Sequence, residues 1–334
     1  MKINSYAAYS AKKALEKFEY EPKELGPKDI EVAITHCGIC HSDIHLIDND
    51  WQMSSYPLVP GHEIVGTVKV VGSQVTNHKV GDRVGIGWQR SACLECESCI
   101  KGDENLCSKN QATCVGNYGG FAEFIRTDSN FAFRIPDGLS SENTAPLLCG
   151  GITVFSPLKL YVKPQMHVGI IGVGGLGHMA VQFAKAFGCE VTVFSSSANK
   201  LEETIKFGAH NFILSTDKSQ MKKAVKSLDF ILTTATANLD WENYLSMLKP
   251  DGRLTFVGAP SEPIKVSVFS LIGGRKTISG SPIGGRTTMN EMLEFVVRHD
   301  IAAKTESVPL IEVNAAIERV RQNKARYRMV LKNK

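Results

Sequence analysis

Features that mark secreted, membrane-spanning and nucleic-acid-binding proteins are missing from this chain of 334 residues. The N-terminal residues contain no continuous apolar core followed by a cleavage site, so we expect no secretory signal. The most apolar run, residues 168–184, is interrupted by glycines, His178 and Gln182, and is therefore not expected to span a membrane. A net charge of +4 is too small to predict a nucleic-acid or membrane-surface partner.

Internal repeats, low-complexity tracts and a proline-rich or serine-rich linker are also absent. The length suggests about two domains, and the basic residues 323–334 are expected to form a solvated face. Nine cysteines without a secretory signal favour a reducing, cytoplasmic location. In that setting clustered thiols are more often metal ligands than disulfides.

Two sequence patterns divide the chain. As far as about residue 148 short β-type runs predominate, as where Ile30, Val32 and Ile34 alternate, whereas residues 7–20 are compatible with a helix and their structure stays open. From about residue 165 β-type runs alternate with helical spacing, which predicts a doubly wound parallel sheet in an α/β domain. We place domains at 1–148 and 149–284, followed by a closing segment, 285–334.

The densest cysteine pattern is CLECESCIKGDENLC, with spacing C-x2-C-x2-C-x7-C. Four thiolates on one loop, about residues 93–107, suit a closed tetrahedral zinc site; an iron–sulfur cluster and unpaired surface thiols are the alternatives. The predicted ligands of this structural zinc are Cys93, Cys96, Cys99 and Cys107.

A second metal pattern is spread over the first 150 residues. HCGICHSDIH, residues 36–45, contains Cys37 and Cys40, which could form a redox pair or part of a zinc site. His62 in PGHEIVG and Cys149 in APLLCGG would complete a set of three ligands with Cys40. An open catalytic zinc site needs such a set and a vacant fourth position, although spacing alone only suggests it.

GVGGLG, residues 172–177, follows a predicted strand and opens a predicted helix, the context that gives the G-x-G-x-x-G pattern its meaning. Gly172 would allow the tight turn, Gly174 the approach of a pyrophosphate, and Gly177 the packing of helix on sheet. The next strand ends in VFSSSANK without an acidic residue. Ser195, Ser196, Ser197 and Lys200 instead suit a 2′-phosphate, which favours NADP(H) over NAD(H).

Taken together, these motifs resemble the zinc-dependent medium-chain alcohol dehydrogenases, and most of all the cinnamyl alcohol dehydrogenase group of NADPH-dependent aldehyde reductases. The resemblance covers nearly the whole chain, from GICHSDIH through YPLVPGHEIVG to GSPIGG. It implies a mainly-β GroES-like catalytic domain to which residues 285–334 return, a Rossmann domain, two zinc ions per chain and a homodimer formed through the nucleotide domain. The implied substrates are aldehydes and primary alcohols, aromatic or broad in range.

The resemblance also assigns roles to single residues. Cys40, His62 and Cys149 match the ligands of the catalytic zinc, and Glu63 matches an acidic neighbour that can coordinate it transiently. Cys37 matches a position that does not bind metal, and we interpret His36 as structural. The remaining catalytic positions are matched by Asp43, which orients the zinc-bound histidine, Ser42, which hydrogen-bonds the substrate oxygen, and His45, the distal proton relay.

The cofactor and substrate positions follow in the same way. Beyond the Ser/Lys group, the cofactor-binding positions are matched by His41, Thr153, Gly172, Gly174, Gly175, Leu176, Gly177, Ser281 and Ile283. An apolar pocket that tolerates aromatic substrates is implied by Trp51, Met53, Trp88 and Pro282. The segment after Cys107 is shorter than in the plant enzymes, which leaves the natural aldehyde open.

Three other functions are alternatives to this one. A zinc-free quinone reductase of the same superfamily would lack both cysteine patterns. A zinc-ribbon binding module would lack GVGGLG in a βαβ unit. An NAD-dependent polyol or formaldehyde dehydrogenase of the same fold is opposed by the missing acidic residue, and cofactor preference would distinguish it.

Overall fold

The computed structural model of the protein describes residues 2–333. Its contacts divide the chain into two units: residues up to Ile152 with those from Ile283 onward, and Thr153–Pro282. The domain ends expected after residues 148 and 284 differ from this division by a few residues. No helix within residues 2–333 is both long and apolar enough to cross a bilayer.

The strands in chain order are β1 (Ile3–Ala7), β2 (Glu16–Tyr20), β3 (Asp29–Gly38), β4 (Glu63–Val71), β5 (Arg83–Ile86), β6 (Gln89–Ser91), β7 (Gln111–Ala112), β8 (Phe124–Asp128), β9 (Ala132–Arg134), β10 (His167–Ile171), β11 (Glu190–Ser195), β12 (Asn211–Leu214), β13 (Leu228–Thr233), β14 (Leu248–Phe256), β15 (Thr277–Gly280), β16 (Thr305–Pro309) and β17 (Arg328–Lys332).

The α-helices are α1 (His41–Asp48), α2 (Glu97–Ile100), α3 (Ser141–Thr144), α4 (Gly150–Tyr161), α5 (Gly177–Ala186), α6 (Leu201–Phe207), α7 (Lys218–Lys223), α8 (Trp241–Ser246), α9 (Val268–Ile272), α10 (Arg286–Arg298) and α11 (Val313–Arg321). Short 3-10 turns cover Glu104–Leu106, Ser129–Phe131, Ala145–Leu148, Ala198–Lys200 and Leu310–Glu312.

The second unit is built on a parallel sheet. In the part of the chain that the structure describes, its strand order is β12-β11-β10-β13-β14-β15, and every neighbouring pair is parallel. This is the order of a dinucleotide-binding fold, whose ligand site lies beyond the carboxyl ends of the strands where the order reverses. The doubly wound sheet predicted from the alternating pattern is confirmed.

The first unit is mainly β, as the sequence predicts. Within the described residues its largest sheet has the order β16-β17-β3-β4-β5-β9, with β8 also paired to β3. Ile30, Val32 and Ile34 on β3 are buried in the core of this unit, as their alternation predicts. Residues 7–20, whose structure the sequence left open, contain the last residue of β1, a connecting loop and β2. The two strands pair from Ile3↔Tyr20 to Ala7↔Glu16.

The expectation of a solvated face at residues 323–334 is wrong for β17. This strand lies between β16 and β3, so it is an interior strand of the sheet. Met329, Val330 and Leu331 are almost completely buried, and Arg328 is only 4% exposed. The strand can be buried in spite of its basic residue because the Arg328 guanidinium pairs with the buried carboxylate of Glu63.

Candidate metal and cofactor sites

Residues from three distant parts of the sequence meet in one buried cluster of the first unit. Cys40 lies at the N-cap of α1, His62 directly precedes β4, and Cys149 lies between the 3-10 turn Ala145–Leu148 and α4. Their ligand atoms, together with a Glu63 carboxylate oxygen, all lie within 4.8 Å of one another. Strand ends and helix starts therefore assemble the ligand set that the sequence could only suggest.

The carboxylate of Asp43 fixes the orientation of this cluster. It lies 2.8 Å from His62 Nδ1 and accepts backbone N–H bonds from Cys40 and Gly61, both at 2.9 Å. With Nδ1 occupied, His62 Nε2 is buried and has no hydrogen-bond partner among residues 2–333. A buried nitrogen of this kind is costly unless a ligand uses it, and a carboxylate on the opposite nitrogen is typical of metal-bound histidine.

Electrostatic interactions within the cluster match its chemistry. A hydrogen bond from the Cys149 thiol lowers the pKa of Cys40 well below its ordinary value, and the same pairing raises the pKa of Cys149. Although burial opposes it, the charges of Asp43 and Cys149 raise the pKa of His62 well above its ordinary value. This thiolate and imidazole set fits zinc, whose binding would displace the remaining protons.

Arg328 is part of this surrounding and was missed by the sequence analysis. Its guanidinium nitrogen Nη2 donates to both oxygens of Glu63, at 2.5 and 2.6 Å, and to the carbonyl of Ile39 at 3.1 Å. Burial raises the pKa of Glu63 to about 7 although Arg328 acts in the opposite direction. No sequence signal marked Arg328, because it lies 265 positions from its partner.

Side chains of α1 and two tryptophans surround the cluster. The Cys40 thiol donates a hydrogen bond to the Ser42 hydroxyl oxygen at 3.7 Å. His45 Nδ1 lies 2.8 Å from the Asp50 carboxylate. The Trp88 ring packs edge-on against His62 at 4.8 Å between centroids, and Trp51 lies 6.3 Å from Trp88. The structure therefore places Trp88 against the cluster, whereas Trp51 contacts Trp88 and lies 5.0 Å from the His45 ring.

The thiol of Cys114 is a second neighbour that the sequence analysis did not single out. Cys114 is completely buried, and its sulfur lies within 4.8 Å of ligand atoms of Asp43 and His62. Met53, which the sequence predicts to line the substrate pocket, is 44% exposed and is therefore not a core residue. His36 and Cys37 do not belong to the metal-ligating groups found among residues 2–333.

The four-cysteine loop is folded around a common centre. The sulfur atoms of Cys93, Cys96, Cys99 and Cys107 all lie within 4.8 Å of one another. Cys93 Sγ is 3.8 Å from Cys99 Sγ and 3.5 Å from Cys107 Sγ. A tetrahedral zinc with bonds of about 2.3 Å would separate its sulfurs by about 3.8 Å, so the spacing fits that ion. Hydrogen bonds from the Glu95 and Cys96 amides lower the pKa of Cys93 to about 6, which favours thiolate.

The glycine loop of the second unit connects β10 to α5. Gly172 has φ +86°, a left-handed conformation that favours glycine. A Cβ on Gly177 would lie 1.9 Å from the Gly172 carbonyl oxygen, whereas a Cβ on Gly174 would meet no atom within 4 Å. Gly177 therefore serves packing, whereas Gly174 has no packing role of this kind, and its contact with a pyrophosphate stays a prediction. Gly175 and Leu176 complete the turn before α5.

The serine and lysine residues at the end of β11 and directly after it differ in their availability to a ligand. Ser195 is buried, and its Oγ accepts from the Ser197 amide at 3.2 Å, so this hydroxyl stabilises the turn. Ser196 is exposed. Lys200 Nζ donates to the Val173 carbonyl at 2.6 Å, which places the ammonium group beside the glycine loop.

The other predicted cofactor and pocket residues are divided between the two units. Thr153, on α4, is buried, and Ser281 follows β15 with its amide bonded to the Phe256 carbonyl at 3.1 Å. Pro282 is exposed at the end of the second unit. His41, at the start of α1, and Ile283, before α10, belong to the first unit.

Comparisons with known proteins agree with this geometry. Residues 26–137 match the family model "Alcohol dehydrogenase GroES-like domain", and residues 175–298 match "Zinc-binding dehydrogenase". Aldehyde reductase AdhA of Synechocystis sp. is 45% identical over 330 residues, 98% of each chain. A probable mannitol dehydrogenase of Fragaria ananassa is 44% identical over 340 residues, 99% of this chain and 95% of its own.

A solved structure shows the same fold. CAD from Helicobacter pylori, in complex with NADP(H), matches with a TM-score of 0.92 and 34% identity, covering 99% of this chain and 98% of its own. The resemblance drawn from the motifs is thereby confirmed. With both ligand sets assembled in the structure, the chain belongs to the zinc-dependent alcohol dehydrogenase family, as an oxidoreductase of the alcohol dehydrogenase and aldehyde reductase type.

Proposed function

We propose that this protein is an NADPH-dependent aldehyde reductase with two zinc ions per chain, acting on aromatic or broadly apolar aldehydes and, in reverse, on primary alcohols. One observation carries the proposal: His62 Nε2 is buried without a hydrogen-bond partner among the described residues, beside the thiols of Cys40 and Cys149. The four-cysteine loop would hold the second, structural zinc. The first site would offer three protein ligands and leave a fourth position for substrate, as a catalytic zinc requires. The second would offer four protein ligands, as a structural zinc requires.

The catalytic zinc would supply Lewis-acid polarisation of the aldehyde oxygen. Around it, Asp43 holds the imidazole of His62 in one orientation, and Arg328 holds Glu63 beside the ligands. The hydroxyl of Ser42 would donate a hydrogen bond to the substrate oxygen. His45, about one third exposed and paired with Asp50, would exchange the product proton with solvent.

The cofactor preference rests on the end of β11. Ser196 and Ser197 offer hydroxyl groups, and Lys200 offers an ammonium group beside the glycine loop. VFSSSANK has no carboxylate that would repel a 2′-phosphate. The NADP(H) held by the Helicobacter pylori relative supports the same assignment. Because the Ser195 hydroxyl stabilises the turn, Ser196 and Lys200 are the principal phosphate ligands in this proposal.

The substrate class rests on the tryptophans beside the cluster. Trp88 lies against the metal-ligating His62, and Trp51 extends the same aromatic surface toward solvent. Flat aromatic rings favour edge-to-face or offset packing against a planar apolar substrate. Met53 is proposed to border the outer part of this surface, whereas a substrate contact of Pro282 stays a prediction from the resemblance.

The test compares cofactors and substrates in one assay. Reduced-nicotinamide absorbance is followed with cinnamaldehyde or benzaldehyde, using NADPH and NADH. We expect kcat/KM to be higher with NADPH by about tenfold or more, since several hydrogen bonds to a charged phosphate are at stake. Lys200→Ala should reduce this ratio, whereas Lys206→Ala, an exposed lysine on α6, should leave it unchanged. Equal rates with both cofactors would refute the phosphate assignment.

An NAD-dependent polyol dehydrogenase is the second candidate, favoured by the relative named as a probable mannitol dehydrogenase. It requires a site that accepts several hydroxyl groups, which the aromatic surface of Trp51 and Trp88 does not offer. Oxidation of mannitol with NAD at a higher kcat/KM than benzaldehyde reduction with NADPH would replace our proposal with this one.

For the whole protein we propose a cytoplasmic homodimer formed through the nucleotide-binding unit. β15 lies at one end of the parallel sheet in the described part of the chain, which leaves it available to a second copy. Nearby, Val268, Phe269 and Ile272 on α9 are between 64% and 82% exposed. We also propose 1–148, 149–284 and 285–334 as the functional divisions of the chain.

A further inference from the structure

Glu104 is a buried acidic residue of the four-cysteine lobe that has no part in binding its metal. It begins the 3-10 turn that leads to Cys107, and it is only 4% exposed. Its backbone carbonyl accepts a hydrogen bond from Gln89 Nε2 at 2.7 Å. A buried carboxylate requires partners, and those of Glu104 lie at the start of α10, 182 positions further along the chain.

The Glu104 carboxylate caps helix α10. Its Oε2 accepts the backbone N–H of Arg286, the first residue of the helix, at 2.9 Å, and its Oε1 lies 3.5 Å from the Arg286 guanidinium. The N-cap residue, Gly285, has no side chain with which to do this. Negative charge at this end is also favourable to the helix dipole.

Backbone contact reinforces this link. A Cβ on Gly285 would lie 1.8 Å from the Gly102 carbonyl oxygen and 2.8 Å from Glu104 Oε2. Residues 285 and 102 therefore touch without any intervening side chain. The Arg286 guanidinium also donates to the Asn130 carbonyl at 2.7 Å. The start of α10 is held at several points, and the lobe provides two of them.

The residues that immediately precede α10 share a cavity lining with two neighbours of the candidate metal cluster. Ile283 and Gly284 line a small cavity of the first unit together with Trp88 and Leu148. Trp88 packs on His62, and Leu148 is adjacent to Cys149 in sequence. Residues 283–284 thus form part of the lining of this cavity, which we call the wall behind Trp88.

We propose that Glu104 is a positioning residue through which the metal-held four-cysteine lobe fixes residues 283–286, and so the wall behind Trp88. The lobe then affects substrate binding as well as stability. This inference rests on the proposed function for the meaning of the wall as part of a substrate pocket. Its structural half, the link from lobe to α10, does not depend on any activity.

The first experiment measures hydrogen exchange of residues 285–288 in the zinc-loaded protein. Glu104→Ala should speed this exchange about fivefold, the effect of losing one helix cap, with the zinc content unchanged. Glu104→Gln, which keeps an acceptor but loses the charge, should fall between Ala and wild type. Glu97→Ala is the matched control, because Glu97 is in the same lobe but pairs with Lys101 at the surface. Equal exchange in Glu104→Ala and Glu97→Ala would overturn the proposal.

A second measurement uses wild-type protein, so it does not depend on whether a Glu104 variant folds. Selective removal of the lobe zinc from wild-type protein with a thiol reagent should speed exchange in residues 285–288 more than in α11. Exchange that stays unchanged at residues 285–288, or that rises equally throughout the first unit, would contradict a specific link.

The steady-state readout separates positioning from stability. Glu104→Ala should raise KM for benzaldehyde about fivefold with little change in kcat, and Glu104→Gln should restore part of the loss. An unchanged KM, with a lowered melting temperature only, would show a purely structural role. If wild-type protein reduces no aldehyde, the proposed function fails, while the exchange result still decides the link.

Discussion

At the scale of single residues, the carboxylate of Asp43 organises the buried cluster of Cys40, His62 and Cys149. This carboxylate is completely buried and holds the Cys40 amide, the Gly61 amide and the imidazole of His62. It therefore sets both the start of α1 and the ring orientation. A substitution that removes its charge should change metal affinity before it changes the fold.

Asp43→Asn should weaken zinc binding at the catalytic site by about 10- to 100-fold, the usual effect of altering a carboxylate behind a ligating histidine. Competition with a chromophoric chelator measures this affinity. Asp48→Asn is the control, since Asp48 lies on the same helix but pairs with Arg321. Equal zinc affinity in the two variants would remove Asp43 from its orienting role.

Glu142 provides a pH-dependent test of the first unit. A hydrogen bond from Lys332, at 2.8 Å, and a weaker contribution from the Thr305 hydroxyl, at 3.1 Å, lower the pKa of Glu142 below its ordinary value. A lowered carboxyl pKa stabilises the folded state above the unfolded-state pKa, about 4.3, and this stabilisation is lost as pH falls through the folded-state pKa.

Glu142→Gln should therefore lower the free energy of unfolding by up to about 1 kcal/mol at neutral pH, the range of a partly exposed ion pair. The difference from wild type should shrink as pH falls below about 4.3. Urea unfolding across this range measures it. A constant difference down to the acid limit would show that the effect does not come from the carboxylate charge.

At the scale of elements, the β10–α5 turn shows how one motif combines packing with ligand binding. Gly177→Ala should destabilise the second unit by roughly 1–3 kcal/mol because its Cβ would overlap the Gly172 carbonyl oxygen. Gly174→Ala should leave stability nearly unchanged, since its Cβ meets open space, but should weaken NADPH binding. Thermal unfolding and a titration of NADPH fluorescence measure the two effects. NADPH affinity that is unaffected in Gly174→Ala would place the phosphates elsewhere.

Local propensity and tertiary pairing disagree near the N-terminus. Residues 7–20 contain alanines, lysines and glutamates that suit a helix, yet they contribute to a β-hairpin. Phe18 and Tyr20 from β2 pack on Tyr118 with ring centroids 5.4 and 4.4 Å apart. Burial of these aromatic rings outweighs a propensity difference of a few tenths of a kcal/mol per residue.

At the scale of the whole molecule, the proposed dimer can be tested through α9. Phe269→Lys should yield a monomer in sedimentation measurements without loss of folding, because its side chain is 82% exposed in the single chain. Ile311→Lys, 69% exposed in the first unit, is the matched control and should remain dimeric. A monomeric wild-type protein, or a Phe269→Lys variant that stays dimeric, would refute this interface.

The sequence by itself determined the features that are local. Three motifs depend only on residues that are close in sequence: the four cysteines at short spacing, the glycines between a strand and a helix, and the alternating apolar residues. Steric and ligand geometry therefore determines the local structure that each motif forms. For the distant residues Cys40, His62 and Cys149, spacing only suggested a metal-binding set, and the resemblance of the motifs strengthened that prediction.

Only the tertiary structure decided the interactions between distant segments. The pairing of Arg328 with Glu63 and the capping of α10 by Glu104 join residues 265 and 182 positions apart. In each case a charged side chain is buried, and its burial is favourable only if an oppositely charged or hydrogen-bonding partner lies next to it. The folded sheet and loop place that partner there. The basic composition of residues 323–334 suggested a solvated face because the partner of Arg328 is distant in sequence. In the fold Arg328 is buried in the core.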